Sequence, residues 1–303
     1  MRLLTDDVKI QRLALFNAIE AGNTYWARQV NEFGIAMVYE HLALGVYDAT
    51  KYGAITQSIS AFNADESLAA IAQSGGVFIT PEDLSWPTRV NQLAIPPLGL
   101  IVKGDLSILN NPSLAIVGTR NPTPYGVRLA GDFAAGFVDR EWDIISGGAY
   151  GIDTHAHRGC LAAEGSTFAV LASGVSVNYP AGNDKIFSEL QESGALISEV
   201  MPRVGARAER FLTRNRLIAA LSKGTIVIEA AFRSGSLRTA RDAAEIMRPV
   251  MAVPGPITSP TSDGCHRLIG ERLAEIVTSV PDALELMLPI SSQKTGTLGS
   301  DDT

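Results

Sequence analysis

Between residues 115 and 253 the chain repeats one pattern, in which short, largely β-branched apolar runs alternate with longer stretches of helical periodicity. The runs are Ala115-Ile116-Val117, Asp143-Ile144-Ile145, Phe168-Ala169-Val170-Leu171, Leu196-Ile197-Ser198, Thr225-Ile226-Val227-Ile228 and Val250-Met251-Ala252-Val253. Such alternation implies an α/β protein with a mostly parallel sheet wrapped by helices. An earlier run, Gly99 to Gly104, adds an expected edge strand. The intervening helices carry the apolar stripes a sheet needs. Leu129, Phe133 and Phe137 recur every four residues, and Leu237, Ala240, Ala244 and Met247 oppose Arg238, Arg241, Glu245 and Arg248.

At 303 residues the chain exceeds one ordinary domain. Residues 1–80 read as a small all-helical domain, because Val8, Leu13, Leu15, Phe16 and Ile19 fall at helical spacing and Gly22, Gly34 and Gly45 then punctuate the chain. Residues 81–97, rich in proline and centred on Trp86, read as a connector packed against the sheet domain, with the boundary near residue 95. The sheet domain is expected over 98–288 and a disordered tail of Ser, Thr, Gly and Asp over 289–303. The stretch after Met1-Arg2 is polar and periodic, which suits neither a secretory signal nor a membrane span, so the expected location is cytoplasmic. Cys160 and Cys265 are too few for a disulfide framework or a zinc site and are expected to be reduced and structural.

A net charge of −7 excludes a protein that coats nucleic acid over its whole surface. A local basic groove is still compatible with it. Between Arg203 and Arg216 five arginines (Arg203, Arg207, Arg210, Arg214 and Arg216) face one acid, Glu209.

Ligands of open α/β sheets collect at the carboxyl ends of strands, where loops enter helix N-termini. Four loops here are informative. In the first, Gly118 permits close backbone approach, Thr119 offers a hydroxyl and Arg120 can fork onto a phosphate, although an ordinary turn would read the same. The second, Ser146 to Asp153, holds Gly147, Gly148 and Gly151 in a spacing that suits an anion nest but is not the dinucleotide fingerprint, and Asp153 can cap the next helix. His155 and His157 beyond it point to different sides of a helix, which favours a structural role over a metal site. In the third, Phe211 to Arg216, arginines beside an aromatic suit a single strand, and the bland alternative is core packing with ion pairs. In the fourth, Ser234 or Ser236 can cap a helix, and Glu229 is a general base or, preferably, a buried acceptor for loop amides.

The ordered series Val117-Gly118-Thr119-Arg120 with Tyr125-Gly126, Ser146 to Asp153 with Ala156-His157, Arg214-Asn215-Arg216-Leu217-Ile218, Glu229-Ala230 with Ser234-Gly235-Ser236-Leu237, and Ala252-Val253-Pro254-Gly255 closely resembles the DprA/Smf DNA-processing family over residues 98–280. The resemblance implies an extended Rossmann-like, doubly wound fold preceded by a domain of sterile-alpha-motif type. It also implies no catalysis and no cofactor, but binding of single-stranded DNA, homodimerisation and loading of the RecA recombinase in natural transformation or related recombination. Carried over, the DNA-binding residues are Gly118, Thr119, Arg120, Gly147, Gly148, Phe211, Arg214, Asn215, Arg216 and Ser236, with no metal site. Leu212 stands where the family usually has a proline, and no winged-helix domain is expected after the sheet.

Two other readings compete. A nucleotide-processing hydrolase of the lysine-decarboxylase-like Rossmann group would need a catalytic glutamate after a Gly-Gly-x-Gly-Thr loop, where this chain has Arg233-Ser234-Gly235-Ser236. A pure interaction scaffold would use the glycine loops only for packing. The favoured reading expects Arg120, Arg214 and Arg216 to be exposed in one positive groove, and Leu284, Leu286 and Met287 to offer a self-association face.

Overall fold

The computed structural model describes residues 2–287, so the expected tail at 289–303 lies outside the described residues. Four helices open the chain: α1 (Arg2–Ala18), α2 (Thr24–Ala43), α3 (Ala49–Ser60) and α4 (Ala64–Gln73). Asn23, Asp48 and Asn63 start the last three by accepting hydrogen bonds from first-turn amides. Leu15, Ile19, Trp26, Val38, Leu42 and Ile59 form the common core of α1, α2 and α3. The other stripe of α1, Leu13 and Phe16, packs onto the sheet layer, with Phe16 edge-on to Phe78 at 5.2 Å. The helical unit is therefore docked on the sheet through shared apolar surface.

The remaining elements come in alternation. They are β1 (Val77–Ile79), β2 (Leu100–Gly104), β3 (Ser113–Val117), α5 (Pro124–Val138), β4 (Asp143–Ser146), α6 (Ile152–Ala162), β5 (Thr167–Leu171), α7 (Asp184–Glu192), β6 (Gly194–Ser198), α8 (Ala208–Leu221), β7 (Gly224–Val227), α9 (Ser236–Glu245), β8 (Val250–Ala252), α10 (Asp263–Gly270), β9 (Glu275–Ile276) and α11 (Val280–Met287). They form one nine-stranded sheet in the order β1-β2-β6-β5-β4-β3-β7-β8-β9. Pairing is antiparallel at β1/β2 and β2/β6 and parallel from β6 to β9. The strands β3 to β7 are buried throughout, because alternate residues feed two layers. Leu114 and Ile116 join Phe133, Phe137 and Ile152 on one face, and Ala115 and Val117 join Leu217, Ile218 and Leu237 on the other. Cys160 and Cys265 are free and buried, and burial pushes both thiols up to about 12, which leaves them unreactive.

Four sequence expectations need correction. The run Gly99–Gly104 is not an edge strand, since β2 lies between β6 and the three-residue β1, which is too short to signal itself. Residues 77–79, expected in the helical domain, accordingly belong to the sheet. The stripe on α9 is Leu237, Ala240 and Ala243 with Ala244 partly buried beside them, but not Met247, because the helix ends at Glu245 and Met247 lies beyond it, 91% exposed at φ 58°. Leu284 and Met287 pack on the layer beneath α5, and only Leu286 of that trio is exposed. Trp86 is buried in the core of the sheet.

Candidate nucleic-acid interface

The chain leaves β3 for β4, β5 and β6 on one side and returns with β7 on the other, so the sheet's switch point lies between β3 and β7. In doubly wound sheets a crevice opens there, outside the carboxyl ends of the strands. A cleft of about 360 Å³ occupies that place. Gly118, Thr119 and Arg120 of the β3–α5 loop form one wall, Phe211, Arg214 and Asn215 of α8 another, and Ser234, Gly235 and Ser236 a third. A smaller pocket of about 170 Å³, walled by Gly147, Tyr150, Ser173 and Tyr179, adjoins it and shares Arg120 and Phe211.

Glu229, at the end of β7, holds the walls together. Its backbone oxygen accepts from Thr119 N at 2.7 Å. Its carboxylate accepts from Thr123 N at 2.9 Å, Thr123 Oγ1 at 2.6 Å and Thr261 Oγ1 at 3.1 Å. Thr123 in turn caps α5, with Pro124 in the first turn. Glu229 is thus the buried acceptor favoured from sequence.

The glycine loop after β4 is organised differently from the open anion nest expected of it. Asp153 lies in the first turn of α6 and reaches back, accepting from Gly147 N at 3.1 Å and Ala149 N at 3.3 Å. Two of the amides that could cradle a phosphate are therefore filled by the chain's own carboxylate, and Gly151, not Asp153, occupies the N-cap of α6. Gly148, at φ 67°, sits over the Phe187 ring in the core and does not line the cleft. Gly147 has another function. A Cβ there would stand 1.9 Å from Arg214 Nη1, so the missing side chain is the space the guanidinium occupies.

Arg214 is the main departure from expectation. Instead of standing exposed, it is buried, 7% accessible. Its Nη1 donates to Val170 O at 2.5 Å, while its Nε has no hydrogen-bond partner. Burial lowers its pKa to about 10, against the attraction of Asp153 and with the repulsion of Arg120, so it stays charged at neutral pH. Burial pulls the neighbouring His157 down to about 3, with help from Arg214, so that ring is neutral and serves as a partner for Thr167 at 2.7 Å. Phe211 lies 5.9 Å from the Arg214 guanidinium and 5.3 Å from that of exposed Arg120. Tyr179 meets Phe211 edge-on at 5.4 Å. The N-terminus of α9 opens on the same cleft without a side-chain cap, and the Ser234 and Ser236 hydroxyls bond to each other at 2.7 Å.

Arg216 does not join the groove. The segment Phe211–Arg216 is not a loop before a helix but lies inside α8, which begins at Ala208. Two residues on a helix are separated by about 200°, so Arg214 and Arg216 diverge. Arg216 faces the connector, where Nη2 donates to both oxygens of Glu199 at 2.6 Å and Nη1 to Ile95 O at 2.8 Å. Of the expected residues, the structure thus gathers Gly118, Thr119, Arg120, Phe211, Arg214, Asn215 and Ser236 on one cleft, with Gly147 beneath it. Tyr150 and Tyr179, each 48% exposed, were not singled out from sequence. Their signal was two tyrosines beside glycine or proline in loops following strands.

A cleft with a buried cation that no carboxylate hydrogen-bonds, an exposed one and, counting the adjoining pocket, three aromatic rings can take a phosphate and stack bases beside it. A family model for DNA recombination-mediator protein A matches residues 77–288. The putative DNA processing protein DprA of Mycobacterium tuberculosis is 41% identical over 237 residues, 74% of this chain and 61% of that protein, so the chain spans about three fifths of that relative's length. The DNA processing protein DprA of Streptococcus pneumoniae is 39% identical, over 67% of this chain and 71% of that one. Its X-ray structure superposes with a TM-score of 0.72 at 35% identity, covering 78% of this chain and 82% of that chain. The Helicobacter pylori DNA processing protein A, whose structure gives insight into a unique single-stranded DNA binding mode, superposes with a TM-score of 0.63 at 30% identity, covering 70% and 96%. No helix among the described residues is long and apolar enough to cross a membrane.

Proposed function

This chain belongs to the DNA recombination-mediator protein A family, and from that membership we propose that it binds single-stranded DNA in the cleft at the β3/β7 switch point and passes it to a RecA-type recombinase. The observation that carries the proposal is Arg214, a buried cation at the cleft wall that is hydrogen-bonded to one backbone carbonyl and, unlike Arg216, to no carboxylate. A buried charge without a hydrogen-bonded counter-ion is costly, and a phosphate in the cleft relieves that cost. Arg120 then follows the backbone, and Phe211, Tyr179 and Tyr150 take bases. Duplex DNA keeps its bases paired and cannot use those rings, so the protein prefers single strands with little sequence preference.

The test is a titration of labelled single-stranded and duplex oligonucleotides of equal length at several salt concentrations. Tighter single-strand binding that weakens with salt is expected, and equal affinity for duplex would sink the reading. Transfer to the recombinase is tested by the rate of RecA filament growth on single strands, which the protein should raise. The hydrolase reading requires a free general base. Asp153 and Glu229 both spend their carboxylates on loop amides and hydroxyls, and release of ribose phosphate from nucleoside monophosphates would restore that reading. Self-association is proposed at the β9 side of the sheet, where Met247, Ile276 and Leu286 are exposed, and light scattering at micromolar concentration should give a dimer mass.

A further inference from the structure

Beyond β7 the chain enters a loop whose Phe232 is 52% exposed. Packing does not hold this ring. Its support is Arg267 of α10, whose guanidinium carbon lies over the ring, 4.6 Å from the centroid. Arg267 is itself fixed to Glu271 at 2.6 Å. The ring stands between Ala231 and Ser234, both of which line the cleft, and beside exposed Arg233. The segment Ala230 to Arg241 carries Arg233, Arg238 and Arg241 and no acid. An arginine-braced phenylalanine therefore borders the cleft on two sides, Phe211 with Arg120 on one and Phe232 with Arg267 on the other.

We propose that Phe232 is a second stacking platform, on which the nucleotide leaving the cleft past α9 lays its base while Arg233 accepts its phosphate. The inference rests on the reading that the cleft holds single-stranded DNA. One face of the ring is occupied by a cation and the rest is open to solvent, so a base completes a guanidinium–phenyl–base stack. Every base has a π-face, which makes such a platform tolerant of sequence. Arg238 is paired with Asp242, and Arg241 and Arg267 with Glu271, so the charge offered beside the ring is that of exposed Arg233, which suits a phosphate over an apolar protein segment. In consequence the bound strand is longer than the cleft alone accommodates, running from the Tyr179–Phe211 side across Arg214 to Phe232.

The experiment compares the wild type with Phe232→Ala and Phe232→Trp, using labelled single strands of stepwise increasing length. Wild-type affinity should rise in a step once a strand reaches past the cleft. Phe232→Ala should lose that step, roughly five- to a hundredfold on long strands, with the shortest strand unaffected, and Phe232→Trp should keep it. A Phe232→Ala protein that binds every length as the wild type does, or that weakens equally at every length, overturns the proposal. So does one that binds strands normally but no longer speeds RecA filament growth, which would place the ring in a protein interface. If the wild type itself binds no strand, the underlying reading of the cleft has failed and this one falls with it.

Discussion

On its two sides α8 buries an arginine under opposite conditions. Toward the connector, Arg216 meets Glu199 through both carboxylate oxygens and adds a backbone carbonyl, so each charge is answered inside the protein. Toward the cleft, Arg214 is at least as deeply buried, yet it is hydrogen-bonded to one backbone carbonyl and to no carboxylate; Asp153 attracts it only through space, and Arg120 repels it. Burial alone does not distinguish a structural arginine from a binding one. Whether the surrounding chain supplies the counter-charge does.

Five substitutions and one pH profile test that contrast. Arg216→Met should strand Glu199 in the interior and cost about 3–5 kcal/mol of stability, read as a lower urea midpoint. Little loss would mean that the pair is not structural. Arg214→Met keeps the apolar stem and removes a charge that no carboxylate hydrogen-bonds, so it should cost less stability than Arg216→Met while single-strand affinity drops about ten- to a hundredfold. A destabilised protein with intact binding would reverse the two roles. Arg120→Ala removes an exposed cation, so the slope of log affinity against log salt should flatten by about 0.7, with thermal stability unchanged. Tyr179→Ala should cost about fivefold in affinity through one lost stacking ring, and an unchanged affinity would take the smaller pocket out of the strand's path.

The least effect on binding is expected at the opposite, amino-terminal end of the strands, where Asp143 begins β4. There burial raises the carboxyl of Asp143 to about 6, against a hydrogen bond from Asn111 and the attraction of Arg89. Its folded pKa lies above the ordinary 3.8, so between those values the folded state holds more protons than the unfolded one. Stability should therefore decline as pH rises through that window and level off above about 6. Asp143→Asn should flatten this decline in urea unfolding and leave single-strand affinity alone. A changed affinity would mean that the amino-terminal ends of the strands communicate with the cleft.

The alternation of runs was enough to read the parallel sheet, its helices and the loops that meet at the switch point, because strands buried on both faces leave an uninterrupted apolar signature. It did not reveal β1 or β9, whose few residues carry no period, nor the start of α8, where Arg207 precedes the first turn and provides no side-chain cap. Missing that start made Phe211–Arg216 look like a loop, and in a loop Arg214 and Arg216 could share a groove. Residues two apart on a helix face different ways, which holds for the two arginines as much as for His155 and His157 once the helix is known. Asp153 was missed as the filler of its own loop because spacing shows which amides are near one another but not which acceptor reaches them first.

The absent side chain at Gly147 has a consequence for how this protein can change over time. Alanine, the smallest replacement, would place a methyl group where the guanidinium of Arg214 now lies, so the substitution would expel the arginine from its seat without touching any charge. A variant at Arg214 would in turn relax the demand for glycine at 147 and open that position to drift. The two positions, far apart in the chain, behave as a single heritable unit. Reverting only one of them would not restore the site.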